Sequence, residues 1–293
     1  MQLRSMLYAP GNQERKLQRV FDFGADGIIF DLEDAVPHGD KDDARRQVRV
    51  VIQARAEQAR AEHITLAVRL NAWRTGMTLA DLKACVISGV SIVKPTKITD
   101  PQDLVRIDGA LSYIESELGL PLGAIEMMPE LDIAFGILEL PAIATASPRI
   151  KRVQFGGGND FCNDLGIEPS DSRYESEWAR QYIVLVSRRY GLEPPLHGSV
   201  GFLESPEKRL AVLDRARTLG YQGATCIHPH QVEATNSLFT ISQRRIDNAR
   251  ATVAAYRDAE ADHRGTLVMP DGRFVDEAHL RGAVQLLARI EER

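Results

Sequence analysis

Residues 24–37 read GADGIIFDLEDAVP. A short apolar run, Gly27–Asp31, ends on three acids, Asp31, Glu33 and Asp34. The run has the length of a strand, and the polar-faced stretch Lys41–Ala61 after it reads as a long helix. A strand that feeds a helix is the repeating unit of a parallel α/β fold. In such folds chemistry gathers at the C-terminal ends of the strands, which is where these acids fall.

Working outward, the same alternation recurs. Strands are expected at Leu3–Tyr8, Thr65–Leu70, Ser91–Lys94, Ala124–Met128, Arg152–Phe155, around His197–Phe202 and at Ala224–Ile227. Helices are expected at Asn12–Phe23, Leu79–Val86, Pro101–Glu117 with Asp100 as N-cap, Ser176–Tyr190 and Pro206–Leu219. Ile133–Ala144 is an apolar segment between strands. With Gly27–Asp31 this makes eight strand candidates, which points to a (β/α)8 TIM barrel. An open doubly wound sheet is the alternative. Residues 1–240 are read as the barrel and catalytic domain. Residues 241–293 are read as a C-terminal helical extension or lid: a helix Ser242–His263, a turn at MPDGR and a helix Asp276–Glu292.

Composition excludes several classes. The chain has 293 residues, 44% hydrophobic and 26% charged, which suits an ordinary soluble α/β protein. A net charge of −5 with no basic cluster argues against nucleic acid as a partner. No stretch approaches the roughly 20 apolar residues needed to cross a bilayer, and residues 1–12 hold no signal-like apolar core. The three cysteines, Cys85, Cys162 and Cys226, form neither a disulfide framework nor a CxxC site, so a reducing cytoplasm is expected. Cys162 and Cys226 are read as small buried apolar residues, and Met127 and Met128 as barrel core.

The residues that follow each apolar run carry the functional reading. They are Pro10-Gly11-Asn12, Asp31-Leu32-Glu33-Asp34, Arg69-Leu70-Asn71, Lys94-Pro95-Thr96-Lys97, Glu130-Leu131-Asp132, Gly156 to Asp160, and His228-Pro229. One Asp at a strand end is as readily a helix N-cap as a ligand. A ring of carboxylates is different, because converging acids repel unless a cation or an Arg joins them. Oxygen donors without a His pair favour Mg²⁺ over Zn²⁺. Arg69 at the mouth is suited to fork onto a carboxylate or thioester oxygen, or onto a neighbouring acid. Gly156-Gly157-Gly158 lets backbone approach a ligand but lacks the spacing of a nucleotide loop. His228 and His230, two apart in a loop, are poor co-ligands, and no zinc is assigned there.

The motifs RSMLYAPGN, GADGIIFDLEDAVP, VRLN, IATASPRI, DFCNDLG and IHPHQVEATNSLFT, in this order, resemble the HpcH/HpaI aldolase–citrate lyase β-subunit-like family, close to malyl-CoA and citramalyl-CoA lyases. The resemblance implies a Mg²⁺-dependent barrel lyase, assembled as a homotrimer or hexamer, acting on a small-molecule acyl-CoA thioester or 2-oxo acid. It implies Asp160 as one metal ligand. Alignment through IATASPR puts Asp132 where the family has a Glu as the second, with Glu130 a weaker candidate. It implies catalytic roles for Arg69, Asp31, Glu33 and Asp34, and for Asp276 as an acid delivered by a neighbouring subunit. It implies contacts to CoA or substrate from Arg4, Pro10, Gly11, Asn12 and Lys16, with Arg15 as an alternative near the phosphates. The family's LPK is here KPTKI, so Lys97 fits with a one-residue offset and is implied as a further contact to CoA or substrate, and His197 stands where an Asp is common. A CoA-independent 2-oxo acid aldolase and a citrate lyase β-subunit-like accessory protein are the other functions the resemblance allows.

Overall fold

The computed structural model describes residues 3–156, 158–201 and 205–291. They fall into two compact units, Leu3–Phe239 and the described part of Thr240–Arg293.

The first unit is an α/β fold on one parallel sheet. Its strands are β1 Ser5–Pro10, β2 Gly27–Asp31, β3 Thr65–Arg69, β4 Val90–Lys94, β5 Glu126–Met127, β6 Glu130–Leu131, β7 Gln154–Phe155, β8 Leu196–His197 and β9 Gly223–Cys226. They lie in the order β5-β4-β3-β2-β1-β9-β8-β7-β6. The two ends of this order, β5 and β6, are separated in sequence only by Met128 and Pro129. On one side the Met128 and Glu130 amides donate to Val93 O (2.9 Å) and Pro95 O (2.8 Å). On the other side the Gln154 amide donates to Pro129 O (2.9 Å). The sheet therefore curls until both ends reach one stretch of chain. Pro129 has no N–H, which accounts for the break between β5 and β6.

Helices cover the outer face, and each packs an apolar stripe on it. They are α1 Glu14–Arg19, α2 Lys41–Ala61, α3 Thr78–Cys85, α4 Gln102–Leu118, α5 Ala134–Leu138, α6 Leu140–Thr145, α7 Asn159–Leu165, α8 Glu177–Arg189, α9 Pro206–Leu219 and α10 Val232–Phe239. In α2 the stripe is Ala44, Val48, Val51, Ile52 and Ala59. It joins the large core with Leu7, Ile28, Phe30, Leu66 and Val68 from the outward faces of the strands.

The inner face of the sheet places the site. Side chains alternate along a strand, so residues two apart share a face. Met6, Ile29, Ala67, Ile92, Met128, Leu196 and Leu3 form a second, apolar cluster there. Two residues further along the same strands stand Tyr8, Asp31, Arg69, Lys94 and Glu130. The inner face thus has an apolar plug below and a polar layer above. Register aligns that layer, since Pro10 pairs with Asp31, Asp31 with Arg69, and Arg69 with Lys94.

Several boundaries differ from expectation. The Asn12–Phe23 helix is the short α1 followed by a 3-10 turn at Val20–Phe23. Ile133–Ala144 is two helices joined at Glu139, with Pro141 in the first turn of the second. The Asp100 side chain does accept from the Gln102 amide (2.9 Å), although α4 begins two residues later. The seventh strand is only Leu196–His197; Phe202, like Gly157, lies outside the described residues.

The second unit contains α11 Gln243–Ala261, a hairpin of β10 Leu267–Val268 and β11 Phe274–Val275, and α12 Glu277–Glu291. The hairpin went unread in the sequence because its strands have two residues each; its turn carries Gly272 at φ 84. Tyr256, Met269 and Val275 form its own small core. Among the described residues no helix is long and apolar enough to cross a membrane.

Candidate active site

The polar layer is a charge network centred on Arg69. Its Nε and Nη2 donate to the two oxygens of Asp31 at 2.8 and 2.6 Å. Its Nη1 lies 3.1 Å from Glu33 Oε2 and 4.0 Å from Glu130 Oε2. The ring of Tyr8 lies 4.9 Å from the guanidinium carbon. The acidic pattern after β2 is thus explained in part by Arg69, as one sequence reading allowed.

Lys97 ties the rim. Its Nζ lies 2.5 Å from Glu33 Oε1 and 2.6 Å from Asp34 Oδ2. Its backbone, held at φ 48, points the amide at both oxygens of Asp132 (3.1 and 3.2 Å). Lys41, at the start of α2, donates to the carbonyls of Leu32 and Glu33 at 2.6 and 2.7 Å and so pins the acidic loop. The one-residue offset at KPTKI is a left-handed turn that delivers both an amide and an ammonium to the acids.

Two glycines allow close approach. A Cβ on Gly11 would lie 2.8 Å from Asp31 O. A Cβ on Gly156 would lie 2.6 Å from the Asp132 Cβ. Contacts that tight exclude any larger residue, so Gly156 seats Asp132.

The acids differ in proton affinity. Burial, reinforced by Glu130 and Glu33, pushes the Asp132 carboxyl up to about 8. Burial pushes Glu33 to about 7 despite Arg69 and Lys97. Asp160 is raised by burial, with Lys97 opposing. Burial also acts on Glu130, but Lys94 and Arg69 outweigh it and hold that carboxyl below its ordinary value. At Asp34 the Lys97 ammonium likewise wins over burial.

These values test whether a divalent cation fits. Six acids (Asp31, Glu33, Asp34, Glu130, Asp132 and Asp160) face four bases (Lys41, Arg69, Lys94 and Lys97), an excess of two acids that burial meets by raising the proton affinity of Asp132 and Glu33. Asp132 is buried, with the Lys97 amide as its donor, and it holds a proton until positive charge arrives. Among the described residues no group of three or more His, Cys, Asp or Glu side chains is placed to hold a metal ion. Two carboxylates with places left for water and substrate suit Mg²⁺, which seldom takes an all-protein cage. The residues present fit that ion.

A cavity of roughly 730 Å³ opens on this layer, within the usual size of a ligand pocket. Its lining includes Tyr8, Asp31, Asp34, Arg69, Glu130 and Asp160 from the strand ends, and Arg15, Lys16 and Arg19 from α1. Acids and cations thus share one cavity.

Of the residues expected from sequence, Asp31, Asp34, Arg69 and Asp160 line the cavity, while Glu33, Lys97 and Asp132 join the charge network without being among its lining residues. Pro10 and Lys16 reach the cavity, and Gly11 supports it from behind. Arg4 is a correction. Its guanidinium pairs with Asp26, Nη2 to Oδ1 at 2.7 Å, ahead of β1 and β2 and so at the opposite end of the strands. Asn12 donates to Asp40 (2.9 Å) and is not among the lining residues. Asp276 lies in the second unit, where it accepts from the Ala278 and His279 amides and from the His279 ring. His279 holds that carboxyl below its ordinary value. His197 is buried between Phe155 and Tyr221, with Nδ1 on Gly198 O at 2.8 Å, and belongs to the packing beneath β8. Tyr8, Lys41, Gln154, Arg19 and Arg173 went unread; period two along β1 and β7 was the available signal for Tyr8 and Gln154.

A parallel α/β sheet that gathers an arginine and carboxylates at its strand ends, beside a cavity of this size, defines an enzyme. The chain belongs to the HpcH/HpaI aldolase/citrate lyase family, a family of lyase-type enzymes, whose model matches residues 4–229. It is 32% identical over 288 residues to a (3S)-malyl-CoA thioesterase of Cereibacter sphaeroides, covering 98% of this chain and 94% of that one. It is 30% identical over 290 residues to the citrate lyase subunit beta of Haemophilus influenzae, covering 98% and 97%. Among solved structures, a citrate lyase from Burkholderia xenovorans superposes with a TM-score of 0.82 at 18% identity, covering 98% and 91%. The CitE protein of Mycobacterium tuberculosis, solved with magnesium, acetoacetate and coenzyme A, superposes at 0.73 with 23% identity, covering 97% of both chains.

Proposed function

We propose that this chain is a Mg²⁺-dependent lyase that cleaves the carbon–carbon bond of a β-hydroxyacyl-CoA, such as malyl-CoA or citramalyl-CoA, into an acyl-CoA and a 2-oxo acid. The observation that carries the reading is that one cavity holds both the strand-end acids and the α1 cations. Those cations, Arg15, Lys16 and Arg19, are suited to the phosphates of coenzyme A. Relatives solved with magnesium, and in one case with coenzyme A, support both halves. The hydrogen bonds on both sides of residues 127–130 support reading the curled sheet as a closed (β/α)8 barrel.

Asp132 and Asp160 would hold the ion, which, when bound, supplies Lewis-acid polarisation of the oxygen on the carbon being released. Arg69 supplies the fixed positive donor for the oxygen that gains charge as the bond breaks, in a site dry enough to strengthen that contact. Asp31 and Glu33 keep its guanidinium in place, and Lys97 keeps Glu33 and Asp34 from repelling each other. Glu33, held near neutrality, is suited to move a proton at its Oε2, beside Arg69 Nη1. Residues 241–293 would form a cover in a homotrimer or hexamer that brings Asp276 to the mouth of a neighbouring copy. Asp276 rests as a carboxylate, so its role as an acid requires release from His279. Sedimentation tests the assembly: an active monomer excludes Asp276 in that role.

Hydrolysis of the thioester is the second reading, favoured by the 32% identity to a malyl-CoA thioesterase. Product analysis separates the two. Cleavage of the carbon–carbon bond gives an acyl-CoA and an oxo acid, whereas hydrolysis gives free coenzyme A and the hydroxy acid.

A further inference from the structure

We propose that Lys94 is a positioning residue: its buried ammonium holds the Glu130 carboxylate off Arg69 and so keeps one Arg69 donor open to the substrate. The kinetic meaning rests on the lyase reading, while the geometry stands apart from it.

Lys94 ends β4 on the inner face and is fully buried. Its three ammonium protons have three acceptors: Tyr8 Oη at 2.9 Å, Glu130 Oε2 at 3.0 Å and Gln154 Oε1 at 2.7 Å. The Gln154 amide in turn donates to Glu130 Oε1 at 2.9 Å. Both oxygens of Glu130 are therefore engaged. Arg69 Nη1 lies 4.0 Å from Glu130 Oε2, within reach of its charge but beyond a hydrogen bond. Asp31 already takes Nε and Nη2, and Glu33 Oε2 lies 3.1 Å from Nη1, so the second Nη1 proton is the donor with capacity left for a substrate oxygen.

A buried Lys–Glu pair is a poor stabilising device, because losing hydration offsets the attraction. The positions two residues earlier on the same inner face, Ile92 and Met128, show that an apolar filling is possible there. Without Lys94, the cation left within reach of Glu130 would be Arg69. Closing that gap by about 1 Å would make a hydrogen bond and take up the remaining Nη1 proton.

The test compares Lys94→Met, Glu130→Gln and the double variant with wild type. A crystal structure of Lys94→Met should place Glu130 within about 3.2 Å of Arg69 Nη1. Its kcat, per folded molecule, should fall by roughly 10²-fold with KM changed far less, the size of losing one oxyanion donor. In the double variant the Glu130→Gln change removes the competing charge, so it should regain at least a tenfold share of that loss. A role confined to stability would lower Tm and leave kcat unchanged. A gap that stays near 4.0 Å in Lys94→Met, an unchanged kcat, or a double variant no better than the single overturns the proposal. If Lys94→Met does not fold, Lys94→Gln removes the charge and keeps a polar side chain; contraction of the same gap supports the proposal and its absence overturns it. Should wild type cleave no hydroxyacyl-CoA, the lyase reading fails and the measured gap still decides the positioning claim.

Discussion

Arg69 and Asp31, register partners on neighbouring strands, meet through two parallel hydrogen bonds of 2.8 and 2.6 Å. This fork fixes the plane of the guanidinium and leaves Nη1 turned to Glu33 and Glu130. Lysine keeps the charge but loses the fork. Arg69→Lys should therefore lose kcat by roughly 10²- to 10³-fold. Steady-state kinetics on a hydroxyacyl-CoA checks this, and turnover near wild type would remove Arg69 from the chemistry.

Asp132→Ala and Asp160→Ala should each abolish Mg²⁺ binding measured by calorimetry. Because burial and the charges of Glu130, Glu33 and Asp160 keep the Asp132 carboxyl protonated to about pH 8, binding below that pH should release a proton. Heats measured in buffers of different ionisation enthalpy read that proton directly. Undiminished binding in both variants would move the ion elsewhere.

Much of this was legible in the sequence, and the reasons are physical. Continuous apolar runs ending on charge marked the strands and the active end, because parallel strands are buried on both faces. The acids, Arg69 and Lys97 stood at those ends. The inner polar layer was only partly legible. Tyr8 and Gln154 sit inside runs whose buried character hides which face each residue takes. Arg4 was misplaced because a motif match carries order along the chain but not which end of a strand a side chain serves. Lys41 looked like an ordinary helix start, since its role depends on the carbonyls of Leu32 and Glu33 turning back toward it.

Glu115 is the strongest stability prediction away from the site. Its carboxylate accepts from Arg149 Nη1 and Nη2 at 2.5 and 2.6 Å and from the Gly123 and Ile125 amides at 2.8 Å each. Glu115→Ala leaves two amides unpaired and removes the two-pronged partner of Arg149, which keeps Asp108 (2.5 Å), Ser112 (2.9 Å) and the Ile125 carbonyl (3.2 Å), at a cost of about 2–4 kcal/mol. Urea unfolding with an unchanged m-value measures it, and a loss under about 1 kcal/mol would contradict this account.

His197 governs part of the acid sensitivity. Burial, with Arg180 nearby, lowers its pKa from 6.5 to about 3. The folded pKa lies below the unfolded one, so the unfolded state takes up the proton first. Stability is therefore full above pH 6.5 and declines toward pH 3 by about 1.4 kcal/mol per pH unit from this group. Glu33 and Asp132 also titrate near neutrality, so the informative quantity is the difference between wild type and His197→Gln. The variant should show a shallower decline between pH 6.5 and about 5 in urea midpoints; parallel curves would rule the linkage out.

The central claim is that Asp132, Asp160 and Arg69 serve one metal-dependent carbon–carbon cleavage. The most direct measurement is to incubate the protein with malyl-CoA and citramalyl-CoA, with and without Mg²⁺, and to identify the products by mass. The account predicts an acyl-CoA and a 2-oxo acid in equal amounts, formed only with the metal and lost in Asp160→Ala. Free coenzyme A with the intact hydroxy acid, or products that form equally well in chelator, would contradict it.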